Sequence, residues 1–230
     1  MIHKKVFIFA LLAALLVLSQ SAYALPITAF GNVGYGNLKW TAEDYEAEDY
    51  EKITEASPAL ALQAGLVYEL ANGFGVGGIF DHVDVNQTWH DVATWDGGEQ
   101  TWDDQFRYVL SGFGALVSYK VPVSAVDCDV FAGAVRYTFK HTELWATDGW
   151  EDVKNVTRDP AIGFIGGANL RAPLWNSLNL TGSFAYRSVS FDEGKAEWSD
   201  DGPVAMNGDY TEWPAQVNGW SATVGIAYKF

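Results

Sequence analysis

The sequence predicts an all-β fold, an eight-stranded antiparallel up-and-down transmembrane β-barrel. Three observations carry that expectation. Hydropathy alternates with period two through most of the chain after residue 25. The connections between alternating segments are short and long by turns. Arginine and lysine fall on the face opposite the apolar one, where a soluble core would not tolerate them.

Residues 1–24 come first and read as a cleaved signal peptide. Lys4 and Lys5 supply a positive start, Val6 to Leu18 an apolar stretch, and Ala22-Tyr23-Ala24 a small-x-small cleavage pattern. The apolar stretch is shorter than the roughly 20 residues a spanning helix needs. The exported part is residues 25–230.

The last strand alternates most clearly. Trp220, Ala222, Val224, Ile226, Tyr228 and Phe230 share one face, and Gly219, Ser221, Thr223, Gly225 and Lys229 the other. Lipid requires an apolar outward face with aromatics at both ends, spanning a band about 25 Å tall. In 58–70, Leu60, Leu62, Leu66, Tyr68 and Leu70 oppose Gln63 and Glu69; in 161–172, Ile162, Phe164 and Leu170 oppose Asn169 and Arg171. In 178–190, Leu180, Phe184 and Tyr186 oppose Thr181, Ser183 and Arg187, and in 105–121 Val109, Phe113, Val117 and Tyr119 share a face. In 128–140 the same rule puts Phe131, Val135, Tyr137 and Phe139 toward lipid, with Arg136 and Lys140 toward the lumen. Segments 27–40 and 74–90 alternate less regularly, leaving room for a bulge or a change of face.

Short connections fall at Ala71-Asn72-Gly73, at 122–127 and at Trp175-Asn176-Ser177. The long ones, 43–56, 91–104, 147–155 and 192–214, are expected to be acidic extracellular loops. Ten strands remain open if 192–214 hides a hairpin. With an even strand count both termini lie on one side, the periplasmic side of a bacterial outer membrane.

Composition narrows the function classes. The chain has 230 residues, 49% of them hydrophobic, and a net charge of −15. Such acidity excludes binding nucleic acid through its phosphates. A single cysteine, Cys128, excludes a disulfide framework. Eight strands enclose an interior that side chains fill, so the inward candidates Glu69, Asp81, Arg136, Lys140, Asp159, Arg171 and Arg187 are expected to form a paired charge network rather than line an open pore. Trp40, Trp145, Trp220, Tyr228 and Phe230 are candidates for the interfacial aromatic girdle. No catalytic, cofactor or metal site is expected. Around His82, His90 and His141 the sequence shows no partnered nucleophile. Clustered carboxylates in the loops leave open a divalent cation that bridges them to lipopolysaccharide. Trp95, Trp150 and Trp198, deeper in the loops, suit loop packing.

With its export signal, eight strands, alternating connections and the ending Gly225-Ile226-Ala227-Tyr228-Lys229-Phe230, the chain resembles the small bacterial outer-membrane proteins, and in architecture the transmembrane domain of outer membrane protein A and its single-domain relatives. The resemblance implies that Tyr228 and Phe230 form the signal read by the barrel-assembly machinery. It also implies outer-membrane lipid and lipopolysaccharide as surroundings, and a monomer. Fold does not fix function. The expected role is non-enzymatic, in envelope structure or adhesion-like surface interaction through the acidic, tryptophan-rich loops, with an unknown extracellular ligand. A narrow porin-like permeation barrel is the alternative, and a lipid-A-modifying barrel enzyme the third.

Overall fold

The computed structural model describes residues 26–42, 57–95, 98–122, 126–147, 150–200, 209–212 and 214–230. Expectations that fall on 1–25 and 43–56 lie outside these residues. Among the described residues eleven strands are present: β1 (Ile27–Ala42), β2 (Ser57–Glu69), β3 (Phe74–Trp95), β4 (Gly98–Val121), β5 (Asp127–Thr147), β6 (Trp150–Arg158), β7 (Ala161–Trp175), β8 (Leu178–Phe191), β9 (Gly194–Asp200), β10 (Asp209–Glu212) and β11 (Ala215–Lys229).

Eight of them close a barrel. Neighbours pair antiparallel in the order β1, β2, β3, β4, β5, β7, β8, β11, and β11 returns to β1 from Thr28↔Lys229 to Ala42↔Ala215. Closure leaves no free edge inside the ring, so the backbone groups of each strand find partners on both sides. One end carries the short turns. There Asn72 and Gly73 (φ 63° and 82°) and Asn176 (φ 47°) take the left-handed conformation that Asn and Gly tolerate at tight reversals. Both ends of the ring's chain meet at this end, where the Phe230 amide donates to the Ile27 carbonyl.

The other three strands prolong β7, β8 and β11 rather than widen the ring. Arg158↔Gly194 continues the register of Phe164↔Ser188, and Asp209↔Glu197 continues that of Ala215↔Phe191. The breaks between Arg158 and Ala161, Phe191 and Gly194, and Glu212 and Ala215 therefore lie side by side. Pro160 and Pro214 sit in two of them and donate no backbone hydrogen bond. On the β5 side the register slips one residue between Tyr137↔Ala161 and Lys140↔Thr157. Inward and outward positions exchange there: Val156 and Arg158 are buried on one side of the break, Gly163 and Ile165 on the other. The 192–214 segment thus contributes strand without making a ten-stranded barrel.

Where described, the segments expected as loops are largely strand. β3 and β4 stay paired out to Trp95↔Gly98, and β5 and β6 to Thr147↔Trp150. Acidic composition signals contact with water, and a hairpin standing beyond a membrane has water around it.

Several inward glycines are required by close strand approach. A Cβ on Gly225 would be driven into the carbonyl oxygen of Gly31, whereas one on the outward Gly182 would meet nothing closer than the Thr223 carbonyl at 4.0 Å. Gly225→Ala is expected to destabilise the barrel by about 1–3 kcal/mol, and Gly182→Ala to leave it nearly unchanged. Urea unfolding of protein refolded in detergent, followed by heat-modifiable gel mobility, measures both.

Candidate functional site

Three features position whatever this barrel does: an apolar outer belt, a charge layer across the lumen and a cavity below that layer. The belt runs around all eight strands near the short turns. Tyr35, Leu66, Val76, Phe113, Val117, Ile162, Phe184, Val224 and Ile226 all point outward, with Ile162 77% and Phe113 68% exposed. Aromatic residues edge it. Phe74 and Tyr119 (4.9 Å between ring centroids) and Tyr228 and Phe230 (4.8 Å) lie near the turns, and Phe80 and Phe113 (4.8 Å) and Phe184 and Trp220 (6.2 Å) at the far side. Above the belt the outward positions turn polar, with Lys39, Asp84, Arg107, Thr138 and Ser190. A closed sheet with apolar residues outside and charges inside is built for a bilayer. The side chains of Trp40 and Trp145, expected in the girdle, fall outside those described.

Inside, Asp81 and Arg187 are both fully buried and face one another. Arg187 Nε donates to Asp81 Oδ2 at 2.8 Å and Nη2 to Oδ1 at 3.1 Å, a bidentate pair. Tyr137 Oη donates to Asp81 Oδ2 at 2.9 Å, and Gln63 Nε2 to Oδ1 at 3.1 Å. Arg187 Nη2 also reaches Ser221 Oγ at 2.8 Å, and Ser183 Oγ donates to Gln63 Oε1 at 3.2 Å. Side chains from β2, β3, β5, β8 and β11 thus meet in one layer that pairs two buried charges, leaving Arg187 Nη1 as its one unpartnered donor among the described residues. On the side away from the turns the lumen is apolar. Leu110, Phe139, Phe191, Val189 and Val217 are buried there, with Phe139 and Phe191 stacked at 5.6 Å.

A second charged group lies near the turns. Arg171 pairs with Asp129 and approaches Glu69 Oε1 at 3.8 Å, and Lys229 Nζ meets Glu69 Oε2 at 2.6 Å. Thr28 Oγ1 donates to Glu69 at 3.1 Å. Gln63 falls inward as its alternation predicts, whereas Asp129, Lys229 and Tyr137 have these partners without having been singled out for the lumen. Only the opposite parity from their apolar neighbours marked Asp129 and Lys229.

Two expectations about β5 are corrected. Arg136 and Lys140 are exposed on the outer face, and Phe131, Val135, Tyr137 and Phe139 are buried inside. The strand passes from a lipid-facing to a water-facing zone, and its inward face meets the apolar part of the lumen, so polarity reverses partway along it. Asp159 is also exposed, at the strand break, and takes no part in the lumen layer. By contrast Phe30 and Leu38 on β1 turn inward in unbroken alternation, so the irregular pattern there conceals no bulge.

The histidines differ from the sequence reading as well. His141 is buried, with Nε2 at 2.6 Å from Glu143 Oε1 and its ring 4.5 Å from Tyr108. His82 Nδ1 lies 2.6 Å from Ser111 Oγ across the outer face of β3 and β4. A serine beside a histidine is half of a nucleophilic site. Ser111, however, is paired with both His82 and Thr138 in the ladder, so its neighbouring amides are not free to form an oxyanion hole. The pair is a cross-strand polar contact. Among the described residues no three His, Cys, Asp or Glu side chains gather to hold a metal ion.

The geometry defines a small barrel of the outer-membrane type. No family model matches the chain, and no curated protein is similar to it. Solved structures are similar in fold. A major outer membrane protein from Thermus thermophilus matches at 14% identity and TM-score 0.48, covering 88% of this chain and 99% of that one. Neisserial surface protein A matches at 10% and 0.44 (90% and 99%). Ail, the attachment invasion locus protein of Yersinia pestis, solved with the heparin analogue sucrose octasulfate, matches at 13% and 0.42 (89% and 100%).

Breaking the buried pair strands a charge. Asp81→Ala is expected to cost about 3–5 kcal/mol, and the double replacement Asp81→Leu/Arg187→Met to recover most of that. Urea unfolding of the three proteins in one lipid measures it.

Proposed function

We propose that this chain is a non-enzymatic, monomeric integral protein of the bacterial outer membrane, with an envelope-structural or surface-interaction role. In this reading the short turns and both ends of the barrel face the periplasm. Tyr228 and Phe230 are the assembly signal, and the acidic, tryptophan-rich strands beyond the belt stand outside the cell. The observation that carries it is the lumen: a paired, fully buried Asp81–Arg187 layer, continued by packed Phe139 and Phe191, favours a plugged support over a pore. What remains available to a partner is the outer surface.

Arg136 and Lys140 give that surface a lipid contact. Arg136 stands between Phe113 and Ile162 in the ladder, at the upper edge of the belt. Among the described residues neither cation is within ion-pair distance of an acid. A cation at mid-bilayer on the lipid face costs about 2–4 kcal/mol, and near the interface about 0–1. Their placement suits the depth of lipid phosphates, including those of lipopolysaccharide.

In planar bilayers the refolded, heat-modifiable protein is expected to give no discrete conductance steps; steady channels of defined size would overturn the plugged reading. Thermal unfolding in bilayers with and without lipopolysaccharide tests the contact. The wild type is expected to gain several degrees from lipopolysaccharide, and Arg136→Gln/Lys140→Gln to lose most of that gain.

A further inference from the structure

Below the charge layer the lumen is not filled. A cavity of about 200 Å³ opens toward the short turns. Its two sides differ. Phe30, Val67, Ile79, Leu116 and Phe131, from β1 through β5, give one side an apolar surface, which Thr28, Glu69, Ser118, Lys120 and Asp129 interrupt. Asn169, Arg171 and Thr181, from β7 and β8, make the other polar. Gln63, tied into the Asp81 layer, roofs it.

The polar side has a donor to spare. Arg171 spends Nη1 and Nη2 on Thr28, Glu69 and Asp129, and its buried Nε has no partner among the described residues. Thr181 Oγ1, on the same wall, is already committed as a donor to Asn32 Oδ1 at 2.9 Å. The orphan Arg171 Nε is a donor, so it calls for an acceptor. Charge at the cavity is balanced, since Glu69 and Asp129 offset Arg171 and Lys120. An anion would meet the two carboxylates and a cation the two bases. Size sets a further limit, because an engineered apolar cavity of about 150 Å³ admits benzene.

We propose that this cavity is a binding site for a small neutral amphiphile, with a hydrogen-bond acceptor held at the β7–β8 side and an aromatic or short aliphatic body against Phe30, Leu116 and Phe131. Entry is from the short-turn end, past Leu70, Gly73 and Phe74 at the rim. The site is a dead end, so it holds its ligand without passing it through the barrel. It stands apart from the outer surface on which the proposed envelope role rests.

Fluorine NMR titration of the full refolded protein with 4-fluorobenzamide tests it, with empty micelles as the partition control. Saturable one-to-one binding is expected. Fluorobenzene, which lacks the acceptor, should bind roughly two- to tenfold more weakly, and 4-fluorobenzylammonium should not saturate. Ser118→Trp, which fills the cavity from its wall, should abolish binding, while Ala115→Trp on the lipid face, checked for the same heat-modifiable fold, should leave it intact. No saturable signal overturns the proposal, and so does binding unchanged in folded Ser118→Trp or equal binding of the ammonium probe. If Ser118→Trp does not fold, Ser118→Phe serves as the filling variant under the same criteria.

Discussion

Everything in this molecule depends on closing the backbone hydrogen-bond ladder between β1 and β11. In lipid an unpaired amide or carbonyl has no water to turn to. The sheet must therefore return on itself, and the pairing from Thr28↔Lys229 to Ala42↔Ala215 does so. Once the ring is shut, each strand has one face to the lumen and one to its surroundings. The narrow interior of eight strands then forces buried polar groups into one another's reach. Arg187 and Asp81 lie 106 residues apart in the chain and meet because the ring places β8 across from β3.

The lumen has three zones with different physics. Near the turns Glu69, Asp129, Arg171 and Lys229 are held in ion pairs beside an open cavity. In the middle a fully buried layer satisfies one carboxylate with a guanidinium, a phenol and an amide. Beyond that the interior resembles the core of a soluble protein, with Leu110, Phe139 and Val217 packed tightly. The barrel beyond the belt is thus held by its own hydrophobic interior.

Strand number, the turn end and most strand faces were legible in sequence because they follow from alternation and turn residues alone. Glu69, Asp81, Arg171 and Arg187 could be placed inward for the same reason. β5 defeated the rule. The alternation of Phe131, Val135, Tyr137 and Phe139 against Arg136 and Lys140 is plain, but alternation names two faces without saying which is inside. Apolar-out holds only within the height of the lipid; Phe139 lies where the lumen is apolar, and Tyr137 turns its ring inward to bring its hydroxyl to Asp81. His141 was hidden by the same reversal. The acidic stretch 91–104 was misread for another reason: charge reports hydration, and strand pairing is indifferent to it.

The aligned breaks between Arg158 and Ala161, Phe191 and Gly194, and Glu212 and Ala215 bear on how this chain tolerates change in length. Across the first two, neighbouring strands exchange their inward and outward positions together while keeping register with each other. Losing one residue from a single break would turn that strand's far portion over relative to its neighbours, burying what had faced water. Insertions and deletions in this part of the chain would have to come as matched sets across adjacent strands, whereas the tips of the hairpins are free of that constraint.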